Sequence, residues 1–316
     1  MDQGLQQQAP PRSLMAEAIS AIKDGDLSQT QVTRLSDLSR VNALVLSEAW
    51  RDIPEAIRVD LVRRFDELTE ERVELNFGRA LRIALGDPSS VVRQLAVAGL
   101  WEDESSELLD RLRHILESDE SPDVRAQAAA ALERFSTKAA VGSLGDDTAF
   151  HLRNELRRAA GDDSEPYAVQ RRALEALGPY AGDPEIASLI TAAYDSGDHG
   201  LQCSAIYAMG RSLDQRWLPS ILMELENDDP ELRFEAARAA GLLGASDAIP
   251  VLLDAARDDD AEVRHAAVGA IGQIGGRGAV RALERLTEDA GEADLELIES
   301  ALDEVNTLLE PFQPSS

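Results

Sequence analysis

Across 316 residues the chain carries 59 Asp and Glu against 31 Lys and Arg, a formal net charge of −28. That balance excludes charge-driven binding to nucleic-acid phosphates or anionic lipid, and makes a protein with a basic surface the natural electrostatic complement. Aromatic residues make up only 4%, so the core has to be built from Ala, Leu, Ile and Val, in thin helix-on-helix layers. Lys23 and Lys138 are the only lysines, so arginine supplies nearly all the positive charge. Cys203 is the only cysteine, which excludes an intrachain disulfide. The first dozen residues lack the apolar run of a signal peptide, and no stretch has the roughly 20 apolar residues of a membrane helix. A cytoplasmic protein without membrane contact is expected.

Residues 1–12 are polar and rich in Gln and Pro, the composition of a disordered tail. Ser13 is placed to cap a helix through about Lys23, and Ser28 to open another through Leu38. The run from Val41 to Trp50 and the segment after Pro54 read as further helices. Residues 13–70 follow no strict repeat and are expected to form an N-terminal cap. From residue 71 to 293 helices come in pairs. The segment 71–85 is expected to be the first helix of the first pair. An irregular insertion falls around 136–163, where an elongated or additional helix and a loop near Gly142–Asp147 are expected. Residues 294–310, which carry Asp294, Glu296, Glu299, Asp303 and Glu304, have the polar composition of a C-terminal capping helix, and 311–316 form a tail.

The pairs share a register. Val92, Val124, Val169, Leu201, Leu232 and Val263 hold equivalent places, separated by 32, 45, 32, 31 and 31 residues. Four residues after each stands alanine: Ala96, Ala128, Ala173, Ala205, Ala236 and Ala267. Seven after stands Gly99, then Ala131, Ala176, Ala208, Ala239 and Ala270. These positions share one helix face, and their small side chains let a neighbouring helix approach closely. Glycine two residues further on (Gly178, Gly210, Gly241, Gly272) is expected to end the helix. A polar column accompanies the apolar one. Arg93, Arg125, Arg233 and Arg264 follow their anchors, and six residues before each stands Asp87, Asp119, Asn227 and Asp258. In the two middle copies the column reads Gln170 with Ser164, and Gln202 with Ser196, so both members change together.

This register over roughly residues 71–290 resembles the HEAT-repeat family, and in particular the HEAT-like repeats of the phycobilin lyase type. The resemblance implies an all-α fold, a right-handed α-solenoid of stacked antiparallel helix pairs in the manner of HEAT and armadillo superhelices. It also implies that the Asp/Asn and Arg columns form a structural hydrogen-bonded ladder between neighbouring repeats. HEAT-like enzymes that hydroxylate a modified lysine hold two irons with repeated His-Glu pairs. None of His114, His151, His199 and His265 is followed by glutamate, so that activity is not implied.

No motif demands an enzyme. There is no HExxH, no Cys-rich pair and no phosphate-binding glycine loop after a strand. GQIGGRG around Gly272–Gly278 follows a helix and reads as an inter-helix turn. Cys203 has no activating neighbour in sequence, and acidic runs such as Glu102–Glu104 and Asp258–Asp260 read as solvated loops and helix starts. No catalytic residue, metal ligand or cofactor is therefore assigned. The function expected is a noncatalytic scaffold that binds a protein partner on its concave face, which in HEAT-type arrays is lined by second helices. The alternative implied by the resemblance is an enzyme subunit of the phycobilin lyase type acting on a tetrapyrrole–protein conjugate. Two, six and ten residues after each anchor, the second helices present a strip that the apolar columns leave open. Its candidate partner-binding residues are Arg171, Tyr207, Arg211, Phe234, Arg238 and His265.

Overall fold

The computed structural model describes residues 14–289 and 291–309, so both expected tails and the Ser13 cap lie outside the described residues. The chain divides into two compact units, Met1–Ala131 and Leu132–Ser316. The described residues contain helices and turns but no strand. In the first unit these are α1 (Leu14–Lys23), α2 (Gln29–Val32), α3 (Arg40–Trp50), α4 (Glu55–Glu71), α5 (Gly78–Ala84), α6 (Ser90–Gly99) and α7 (Ser106–Ser118). The division falls within α8 (Pro122–Ala140). The second unit continues with α9 (Asp146–Gly161), α10 (Tyr167–Ala176), α11 (Pro184–Tyr194), α12 (His199–Arg211), α13 (Leu218–Glu224) and α14 (Pro230–Leu243). It ends with α15 (Ile249–Ala255), α16 (Ala261–Ile274), α17 (Gly276–Asp289) and α18 (Glu292–Leu309).

Consecutive helices pair, α11 with α12, α13 with α14, α15 with α16 and α17 with α18. The second helix of each pair also packs on the second helix of the next, in the series α10, α12, α14, α16 and α18. The small-residue register explains that series. Ala173, Ala205, Ala236 and Ala267 are all at 0% exposure, as are the anchors Val169 and Val263. Each pair alone would leave this face in water, and stacking removes it at about 25 cal/mol per Å².

Two sequence expectations are corrected. The segment 71–85 is not one helix: α4 ends at Glu71 and α5 starts only at Gly78. The Asn76 carbonyl accepts from the Asp37 backbone N–H at 2.8 Å, and the Asn76 backbone N–H donates to Ser36 Oγ at 2.9 Å. Those bonds pull the chain out of the helix, and Phe77 stacks on Phe65 at 4.5 Å. Nor do all the glycines of the repeat end their helices: Gly178 follows the end of α10 at Ala176, but the other three do not stand at an end. Gly210, Gly241 and Gly272 lie inside α12, α14 and α16. A Cβ on Gly210 would sit 2.6 Å from the Ala239 Cα, and one on Gly241 would sit 2.8 Å from the Ala270 Cα. These glycines are contact points between neighbouring second helices. The left-handed stop of α14 is Gly244, at φ 65°.

The polar column links neighbouring repeats. Arg93 donates from Nη1 to the Asp87 carbonyl at 2.8 Å, and from Nε and Nη2 to the Asp119 carboxylate at 2.8 and 2.7 Å. Arg233 does the same with the Asn227 carbonyl at 2.8 Å and the Asp258 carboxylate at 2.6 and 2.8 Å. Arg264 reaches the Asp258 carbonyl at 3.0 Å and Asp294 at 3.2 Å, and Arg125 reaches the Asp119 carbonyl at 2.8 Å. Within a repeat, then, the arginine takes only a main-chain oxygen. For Arg93, Arg233 and Arg264 the carboxylate partner belongs to the next repeat. Gln170 keeps the local half of the pattern, donating to the carbonyls of Asp162 and Glu165 at 3.2 and 2.8 Å. The pattern starts earlier than the alanine column: Arg58 on α4 donates to the Ile53 carbonyl at 2.5 Å and to the Asp87 carboxylate at 2.7 and 3.1 Å. Trp50 Nε1 shares that carboxylate at 2.6 Å.

Candidate functional site

The six candidate residues all stand on second helices of the second unit: Arg171 on α10, Tyr207 and Arg211 on α12, Phe234 and Arg238 on α14, and His265 on α16. Three of them meet. The Arg238 guanidinium carbon lies 5.4 Å from the Tyr207 ring centre and 5.5 Å from that of Phe234. A guanidinium within about 6 Å of an aromatic ring is attracted by the ring's negative face. Arg238 is exposed, whereas Tyr207 and Phe234 are half-buried.

Glu133, in the second half of α8, ties α12 to this face. It accepts the Tyr207 hydroxyl at 2.8 Å and pairs with Arg211 Nε at 2.8 Å. Arg211 Nη2 also donates to Thr137 Oγ1 at 2.8 Å. Burial, reinforced by the Glu133 charge, pushes the Tyr207 hydroxyl well above the ordinary range, so it stays a neutral donor. Arg171 belongs to a second network. Its Nε donates to Ser204 Oγ at 2.9 Å, and Ser204 in turn donates to the buried Glu175 at 2.8 Å. Glu175 also takes Arg172 at 2.6 Å. Burial of Glu235 raises its carboxyl; the charge of Arg238 opposes that, while Glu175 adds to it. His265 is separate in its bonding, with Nε2 3.2 Å from Asp294 of α18.

The polar partners Glu133, Thr137 and Ser204 lie outside the sequence strip, whereas Glu175 holds the strip position six residues after Val169. Glu133 precedes Tyr207 by 74 residues, and only the stacking of helices joins them. The acidic runs fit their expected structural roles. Asp103 bonds Arg82 Nε at 2.9 Å, and Asp260 caps α16 through the backbone N–H groups of Glu262 and Val263.

One cluster has a different chemistry. His199 and Cys203 are one turn apart on α12, and the fold brings Glu231, in the first turn of α14, against them. One donor atom from each lies within 4.8 Å of the others. Asp229, the N-cap of α14, accepts the Glu231 backbone N–H with Oδ1 at 2.8 Å. Its Oδ2 faces His199 Nε2 at 3.0 Å. Cys203 is 3% exposed, and burial, followed by the charges of Glu231 and Glu235, pushes its thiol up to about 12. The His and the Cys, four residues apart on one helix, are readable in the sequence. Glu231 belongs to the next repeat and nothing nearby in sequence announces it.

The family model for HEAT repeats matches residues 79–160 and 218–303. Among curated proteins no sequence matches this chain. Several solved structures resemble it. The complex of CpcE and CpcF of phycocyanin lyase from Nostoc sp. PCC7120 is 18% identical, with 96% of this chain and 99% of that chain covered and a TM-score of 0.46. Human deoxyhypusine hydroxylase is 19% identical over 93% of this chain and 96% of that one, with a TM-score of 0.30. Importin beta is 12% identical over 92% of this chain and 44% of its own, with a TM-score of 0.48.

Proposed function

Because this chain belongs to the HEAT-repeat family, we propose that it is a noncatalytic scaffold whose second-helix face, built on α10, α12, α14 and α16, binds a protein partner. The observation that carries this reading is Arg238 between Tyr207 and Phe234 on a face open to solvent. Tyr and Arg are enriched among residues that dominate interface energies. The Glu133 bonds hold Tyr207 and Arg211 in place before any partner arrives. A preordered face avoids much of the side-chain entropy that binding otherwise costs. The net charge of −28 favours a partner with a basic surface. Arg171, Arg211 and His265 extend the face, and the Asp/Asn and Arg columns keep its helices in register. In this reading residues 13–70 and 294–310 close the two ends of the array.

The test is affinity capture from source-organism lysate, comparing wild type with Phe234→Ala combined with Arg238→Glu. The expected result is a specific partner lost by at least tenfold in the variant, with the melting temperature little changed. Equal recovery by both proteins would sink the reading. Recovery of a tetrapyrrole-bearing protein would favour the enzyme-subunit alternative instead.

A further inference from the structure

We propose that His199, Cys203 and Glu231 form a binding site for a first-row transition dication of the zinc type, with the Asp229 carboxylate beside it against His199. The site goes beyond the scaffold reading and does not depend on it. Its donors are an imidazole, a thiol and a carboxylate, the mixed nitrogen, sulfur and oxygen set that suits zinc and its neighbours better than calcium or magnesium. Tetrahedral zinc, with bonds of about 2.0–2.3 Å, holds its donors roughly 3.5 Å apart. The donor atoms here already lie within 4.8 Å of one another, with His199 Nε2 3.7 Å from Glu231 Oε2. Small rotations of two exposed side chains, His199 and Glu231, close the remainder. The buried thiol is fixed, because Cys203 is held in the α12–α14 contact.

Local charge favours a cation. Glu231, Glu235 and Asp229 act on Cys203 together, against Arg171. His199 Nε2 in the metal-free arrangement faces Asp229 and Glu231, at 3.0 and 3.7 Å. A dication displaces the thiol proton and leaves the carboxylates with a stronger partner. The three ligands come from adjacent repeats, His199 and Cys203 from α12 and Glu231 from α14, so the metal clips α12 to α14. Tyr207 lies one turn beyond Cys203 on the same face of α12, which places the clip beside the proposed partner face.

Cobalt(II) titration of the full chain tests the site. Cys203 is the only cysteine, so any thiolate-to-cobalt charge-transfer band comes from it. The expected result is a band that saturates at one equivalent, is displaced by Zn²⁺, and is absent in Cys203→Ser. His199→Ala and Glu231→Gln alter exposed side chains and should fold. Each should weaken binding by at least the roughly 10–100-fold that losing even an outer-shell partner of a metal ligand costs. Zn²⁺ should also raise the melting temperature of wild type and not of these variants. Binding without a thiolate band is adventitious binding by the acidic surface and overturns the proposal. A band unchanged in both His199→Ala and Glu231→Gln overturns it as well.

Discussion

A single rung shows how one residue pair joins two repeats. Arg233 gives two short bonds to Asp258 and two more to the carbonyls of Asn227 and Asp228, at 2.8 and 2.9 Å. The pair is largely buried, with side-chain exposures of 18% and 11%. Arg233→Ala should therefore cost about 1–3 kcal/mol, because it strands a buried carboxylate; an unchanged denaturant midpoint would refute the rung. The same rung sets an acid dependence. The Arg233 bond holds the Asp258 carboxyl below the usual range, against the opposing effect of burial. A carboxyl depressed in the folded state stabilises fully above its unfolded value of about 3.9 and loses that contribution as pH falls through the lower folded value. Wild type should thus exceed Asp258→Asn in melting temperature at pH 7, and the gap should shrink below about pH 4. A gap independent of pH would show that the charge of Asp258 contributes nothing. The ladder between neighbouring repeats is made by an arginine and the carboxylate of the following repeat. In that pairing Gln170 goes with Ser196 and Gln202 with Asn227, whereas Arg125 stands against Ser164, so the two columns do not change strictly together. Arg58 carries no such signal in the sequence, because no alanine column marks α4.

Between helices, the small-residue register was legible because contact between neighbouring second helices leaves no room for larger side chains. The function of its glycines was not, since glycine ends helices as readily as it narrows them. Gly210 and Gly269 separate the two roles in one experiment. Alanine in place of an exposed mid-helix glycine usually stabilises by up to about 1 kcal/mol. Gly269 lies inside α16 with nothing within 4 Å of an added Cβ, so Gly269→Ala should raise the melting temperature. At Gly210 the same methyl would meet the Ala239 Cα at 2.6 Å and Cβ at 2.9 Å. Overpacking of that kind costs roughly 1–3 kcal/mol, so Gly210→Ala should lower the melting temperature. Thermal scans showing the same sign for both would remove close packing as the reason for the glycine column. The break at 72–77 was illegible for a related reason: its cause lies in Ser36 and Asp37, far back in the chain.

For the molecule as a whole, charge and partner choice are linked. A surplus of carboxylates repels along the array, and salt screens such repulsion over about 10 Å at 0.1 M. Melting temperature should rise from low to moderate salt, and a flat curve would make repulsion negligible. No described helix is long and apolar enough to cross a membrane. The fold class followed from the repeat alone, whereas the candidate site was only half legible. Tyr207, Phe234 and Arg238 sit at strip positions, but Glu133 and Glu231 enter by stacking. The most direct test of the central claim, that second helices carry the partner face, is site-specific photocrosslinking in source-organism lysate. A benzophenone amino acid is placed at position 234, on α14, and separately at 223, an exposed position on the first helix α13. Crosslinking of one defined protein from position 234 and none from 223 is the expected result. Crosslinking from 223 alone, or equally from both positions, would contradict the account.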